Sequence, residues 1–134
     1  MSKSLKFIHI TKCAGTFIED IGKNHNINWG RFDTEYGYWH DIFSLKPQSL
    51  KNKYDWFMII RNPYDRILSE YYCEWGGIGK KNITHTKEQF NKFLIYQIKH
   101  RSISGEHYTE QYKYLDKHVK INIIRFENLN AELD

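Results

Sequence analysis

LKFIHITKCAGTFIEDIGKNH, residues 5–25, runs from an apolar segment through a lysine and a turn of small residues into an amphipathic segment. Residues 5–10 have the length and apolar character of a buried strand. Residues 16–25 place Phe17 and Ile21 on one helical face, with Glu19 and Asp20 expected in the first turn, where acids complement the positive end of the helix dipole. The loop between them, Ala14-Gly15-Thr16, presents backbone N–H groups in front of a helix N-terminus, while Lys12 adds a full charge and Thr16 a hydroxyl. That combination suits a phosphate-like anion. Many strand-to-helix turns carry a glycine and a lysine without a ligand, so the residues alone leave both readings open.

Working outward, DWFMII (55–60) is a second strand, ending at Arg61, and INIIRF (121–126) a third. Pro63 opens a helix expected to reach about Trp75, with Ile67, Leu68, Tyr71, Tyr72 and Trp75 at helical spacing. Pro47 opens a short one over 47–54. Thr86 and Gln89 form a capping box ahead of a helix that carries Phe90, Phe93, Leu94 and Ile98 on one face and ends near Arg101. Residues 108–115 suit a short helix, 102–107 a loop, and 26–38 an irregular segment with at most a short strand around NINWGRF (26–32). Strands alternating with helices indicate an α/β fold with a central, mainly parallel sheet flanked by helices, which binds ligands beyond the carboxyl ends of its strands. Lys12 and Arg61 fall at such ends.

The chain has 134 residues, one domain's worth, and no repeat or linker divides it, so residues 1–134 are expected to form a single domain. A hydrophobic share of 40% with 16% aromatics excludes a disordered or low-complexity segment. No run approaches a membrane span or a signal-peptide core, which predicts a cytoplasmic protein. The net charge of +4 comes from lysines scattered along the chain, which keep a surface solvated or steer an anionic partner. Nucleic acid is not expected. Cys13 and Cys73 read as free thiols, and neither they nor His85, His100 and His118 show metal-ligand spacing, so no metal site is expected.

Of five arginines, two lie in RNPYDR (61–66). A guanidinium makes paired hydrogen bonds to phosphate, and Ser69, two turns along the helix, adds a hydroxyl if that helix folds beside the first loop. The alternative is ion pairing of Arg61 and Arg66 with Asp65 or Glu70, favoured for Arg66. A nucleoside-triphosphate P-loop places lysine after its glycines, whereas Lys12 precedes Gly15, and no strand ends in an aspartate suited to Mg²⁺. Kinase-like chemistry therefore ranks last.

HITKCAGTF (9–17) and RNPYDRILSEY (61–71), in this order and about 45 residues apart, resemble the two signature segments of the sulfotransferase superfamily, in particular its carbohydrate, heparan-sulfate 2-O-like branch. Weaker likenesses lie in YWHDIF (38–43), HYTEQYKYL (107–115) and IIRFENL (123–129). The sequence departs from the pattern at Thr11 and at Thr109-Glu110, where proline is usual, at Ala14, where glycine is, and at Phe17, where serine is.

The resemblance implies a three-layer, P-loop-like fold and a metal-free enzyme that transfers the sulfuryl group of 3'-phosphoadenosine 5'-phosphosulfate (PAPS) to an acceptor hydroxyl, first of all on a carbohydrate. It implies that Lys12, Cys13, Ala14, Gly15, Thr16 and Phe17 hold the 5'-phosphosulfate and that Arg61 and Ser69 hold the 3'-phosphate. Lys12 would also stabilise the departing charge, and His40 would act as base. His107 and Trp39 are candidates for acceptor binding, with exposed rings such as Trp29 and Tyr36 available for stacking. Family members usually continue past the last of these segments, which makes a non-catalytic module binding PAPS, its product PAP or a glycan the competing expectation.

Overall fold

The computed structural model describes residues 2–31, 35, 38–79, 85–100 and 105–133. Three strands, β1 (Leu5–Ile8), β2 (Asp55–Ile60) and β3 (Ile121–Arg125), pair in the order β1-β2-β3, all parallel. Leu5 lies opposite Asp55, and Trp56 opposite Ile121. Trp56 to Ile59 are buried without a break, the continuous apolar run of a strand covered on both faces. Each of those side chains contributes about 1.5–3 kcal/mol by leaving water. The ladder of β1 stops at Ile8, two residues short of the expected end, and leaves His9 and Ile10 to lead into the loop. The fold is thus α/β, a parallel sheet flanked by helices, as the sulfotransferase resemblance implied.

The helices are α1 (Gly15–Asn24), α2 (Gln48–Lys53), α3 (Pro63–Tyr71), α4 (Lys87–His100) and the single turn α5 (Leu129–Glu132). Several differ from expectation in which face they bury. In α1 the buried side is Gly15, Ile18, Glu19 and Gly22, while Phe17 is half exposed. That helix starts one residue early, which moves Glu19 and Asp20 out of its first turn. In α3 the buried residues are Arg66, Glu70 and Tyr71, whereas Leu68, Tyr72 and, beyond the helix, Trp75 are exposed. The helix ends at Tyr71, whose ring packs on Phe90 and Phe93 of α4, while Arg66 turns inward onto backbone carbonyls. Pro47 caps α2 instead of opening it.

Residues 26–31 form no strand; the Phe7 N–H donates to the Trp29 carbonyl (3.1 Å), Lys6 Nζ to the Asn28 carbonyl (2.6 Å) and the Ile27 N–H to the Gly22 carbonyl (2.7 Å). The Trp29 ring packs on Phe57, and Phe32, Tyr36 and Arg101 lie outside the described residues. Two 3₁₀ turns, Gly105–Tyr108 and Gln111–Tyr114, take the place of the expected short helix. The capping box of α4 forms in both directions, with Thr86 N–H donating to Gln89 Oε1 (3.0 Å) and Gln89 N–H to Thr86 Oγ1 (3.2 Å). Among the described residues no helix is long and apolar enough to cross a membrane. Both cysteines are free thiols.

Candidate functional site

The β1–α1 loop sets up an anion cradle from its backbone. Lys12 and Ala14 both adopt left-handed conformations (φ 59° and 60°), flanking Cys13. Left- and right-handed residues in succession turn consecutive N–H groups to one side. No side chain caps α1, and among the described residues the N–H groups of Gly15, Thr16 and Phe17 have no acceptor. Gly15 is required by close approach: a Cβ there would collide with the His9 imidazole. That ring and Glu19 are both buried, 3.9 Å apart, and burial lowers the His9 pKa.

Arg61 comes to the same place from the end of β2. Its backbone is clamped on both sides by Gln111, whose Oε1 accepts the Arg61 N–H and whose Nε2 donates to the Arg61 carbonyl, each at 2.8 Å. The guanidinium lies over the Phe126 ring (4.3 Å) and donates from Nη1 to the Lys12 carbonyl (3.2 Å), which leaves Nε buried without a partner. Asn62 Oδ1 accepts the Tyr64 N–H (2.9 Å) and Pro63 occupies the first turn, so α3 starts at a fixed point beside the loop. The result is a cleft of about 320 Å³ lined by Lys12, Gly15, Thr16, Phe17, Arg61 and Ser69 among others, with no carboxylate on its walls. A second cleft of about 430 Å³ adjoins it and shares Lys12, Arg61 and Ser69. Lys12 makes no ion pair or side-chain hydrogen bond among the described residues.

Of the expected loop residues, Cys13 alone turns its side chain away. It is fully buried against Gln111 (Sγ to Oε1, 3.5 Å), and burial pushes the thiol up to about 11. Arg66 does not line the cleft, nor does it pair with Asp65 or Glu70. It is buried and donates to the Thr11 carbonyl (3.0 Å) and hydroxyl (2.9 Å) and to the carbonyls of Thr109 (2.7 Å) and His107 (3.2 Å). This one side chain ties the loop to the segment after α4.

His40 lies on the other side of His9. It is 7% exposed, and its Nδ1 donates to the His9 carbonyl (3.0 Å), which in the neutral ring leaves Nε2 as the lone-pair nitrogen. Desolvation lowers its pKa to about 4, so the ring is neutral at pH 7. It lines a third cleft, about 470 Å³, together with Tyr38, Asp41, Glu106, Tyr108 and Lys113. Trp39 packs on the His40 ring (3.8 Å between centroids) and carries Arg31 over its face (4.5 Å), but does not line this cleft. His107 stands 6.4 Å from His40, ring to ring, and its Nδ1 pairs with Glu70 Oε2 at 2.9 Å, which raises its pKa.

Gln111, Phe126 and Glu106 carry no local signal of their roles, because each meets its partner across a long stretch of chain. Gln111 lies in HYTEQYKYL and Phe126 in IIRFENL, likenesses that marked the segments but not these contacts.

Residues 2–132 match the model of the Sulfotransferase family, a span that includes the lysine loop, the His40 segment and the arginine helix. No curated protein and no solved structure matches the chain. A family match over nearly the full sequence, with the lysine loop and Arg61 meeting beyond the carboxyl ends of a parallel sheet, makes this chain a member of the sulfotransferase family, whose reaction is sulfuryl transfer.

Proposed function

We propose that the protein transfers the sulfuryl group of PAPS to a hydroxyl, on a carbohydrate acceptor, with His40 as the base. The observation that carries this reading is the meeting of Lys12 and Arg61 in front of the unbonded N–H groups of α1. An unpaired ammonium and a buried guanidinium Nε without a partner fit an anionic ligand, and no carboxylate opposes it in that cleft. Two adjoining clefts sharing Lys12, Arg61 and Ser69 suit a nucleotide with phosphate groups at two positions.

PAPS when bound supplies the sulfuryl group and a phosphate leaving group. Lys12, the N–H groups of residues 15–17 and the Thr16 hydroxyl hold negative charge at the loop, as fixed donors do in phosphoryl transfer. Arg61 and Ser69 hold the second phosphate. His40 Nε2 accepts the proton of the acceptor hydroxyl, with Nδ1 anchored on the His9 carbonyl to keep the ring in that tautomer. Tyr38 and the carboxylates of Asp41 and Glu106 line the His40 cleft with hydrogen-bond acceptors for sugar hydroxyls.

Calorimetric titration with adenosine 3',5'-bisphosphate tests the nucleotide site. Micromolar binding weakened at least tenfold in Arg61→Ala and in Lys12→Ala is expected, and no binding would remove the reading. Transfer of labelled sulfuryl to a sugar panel, abolished in His40→Ala, tests the chemistry. Binding without transfer to any hydroxyl acceptor would instead identify a nucleotide-binding module.

A further inference from the structure

Three side chains stand together on the far side of Arg66. Glu70 is the penultimate residue of α3, and Cys73 follows three residues later, its N–H bonded to the Glu70 carbonyl (2.9 Å). His107 arrives from the 3₁₀ turn Gly105–Tyr108. One ligand atom from each of the three lies within 4.8 Å of the other two. We propose that Glu70, Cys73 and His107 bind one divalent transition-metal ion of the zinc type, with solvent completing the coordination.

The donor set selects the metal. A thiolate, an imidazole and a carboxylate form a mixed sulfur, nitrogen and oxygen site of the kind Zn²⁺ accepts, whereas Mg²⁺ and Ca²⁺ require oxygen throughout. Tetrahedral zinc holds such donors roughly 3.3–3.6 Å apart, so closure asks for about 1 Å of side-chain movement.

A second observation points to a cation. Glu70 is 1% exposed, and while its Oε2 receives His107 Nδ1, its Oε1 is buried with no partner. A buried carboxylate satisfied on one oxygen is an expensive arrangement, and an unexplained buried polar atom of this kind is where an ion belongs. Gly76 closes over the pair, since a Cβ at that position would collide with Glu70 Oε2 and His107 Nδ1. The half-buried Cys73 and the partly exposed His107 leave an entry route from solvent. On binding, the ion replaces the proton that His107 shares with Glu70 and the thiol proton of Cys73, both released to solvent.

None of the three residues lines the nucleotide or His40 clefts, and the role of the site is structural. It fastens the 105–109 segment to α3, and that segment supplies two of the carbonyls that hold Arg66, and through it Thr11, at the base of the loop. The inference stands whether or not the chain transfers sulfuryl groups.

Chelator-treated full-length protein titrated with Co²⁺ tests it by absorption, followed by displacement with Zn²⁺. The expected result is one tetrahedral Co²⁺ per chain with a thiolate-to-cobalt charge-transfer band, displaced by stoichiometric Zn²⁺. Cys73→Ser should abolish the band, and Glu70→Gln should weaken binding at least tenfold, in variants whose circular dichroism shows them folded. A chain without the band, or a band unchanged in Cys73→Ser, overturns the proposal and leaves Glu70 and His107 as an ion pair.

Discussion

At the scale of single residues, the two small residues of the loop do different work, and substitution separates them. Gly15→Ala drives a methyl into the buried His9 ring, and overpacking of that kind costs about 1–3 kcal/mol. Ala14→Gly relieves a left-handed alanine and should stabilise by about 1 kcal/mol. Urea unfolding of both variants checks the opposite signs. His40 gives a pH signature. Its folded pKa, about 4, lies below the ordinary value of 6.5, so the unfolded chain takes up the proton first on acidification. The stability this contributes is complete above pH 6.5 and is lost as pH falls from there to about 4, up to about 3 kcal/mol in all. Between pH 7 and pH 4.5 the wild type should lose stability relative to His40→Gln, so the gap between their unfolding midpoints should change with pH. A constant gap between them would place the His40 effect outside its protonation.

At the scale of elements, α3 shows what a sequence reveals and what it hides. Its start was legible, because Pro63 in the first turn is a local device, and so was the Thr86–Gln89 box of α4. Its inward face was legible only in part, because hydrophobic periodicity points to Tyr71, which is buried, but also to Leu68 and Tyr72, which are exposed, while Arg66 and Glu70 pack inside. Periodicity assumes an apolar partner, and at Arg66 the partner is a set of backbone carbonyls from two distant segments. Arg66→Ala would strand those carbonyls and should cost about 2–4 kcal/mol. Arg66→Lys should restore little, since an ammonium cannot reproduce the planar fork. Leu68→Ser, on the exposed side, should change stability by less than about 0.5 kcal/mol, and thermal unfolding of the three variants distinguishes the faces. A large loss in Leu68→Ser with little in Arg66→Ala would contradict this packing.

At the scale of the whole molecule, the sheet brings separate strand ends to one place: Lys12 after β1, Arg61 after β2 and Phe126 after β3. The parallel sheet and the position of the cleft were readable from alternating elements and from two basic residues at strand ends, whereas the order of the strands was not. The contacts that make them one unit were not, since the Gln111 clamp on Arg61 and the Phe126 ring beneath it are long-range. A ligand that engages Lys12 and Arg61 together therefore couples three segments that are distant in sequence. At 100 times its dissociation constant it should stabilise the fold by about 2.7 kcal/mol. Hydrogen exchange with adenosine 3',5'-bisphosphate should then slow in residues 11–17, around Arg61 and around Phe126 at once, whereas inorganic phosphate, which spans one end only, should protect residues 11–17 alone. In Arg61→Ala the bisphosphate should behave like inorganic phosphate. Equal protection of all three segments by both ligands would mean that the strand ends are coupled by the protein itself and not by a nucleotide bridging two phosphate positions.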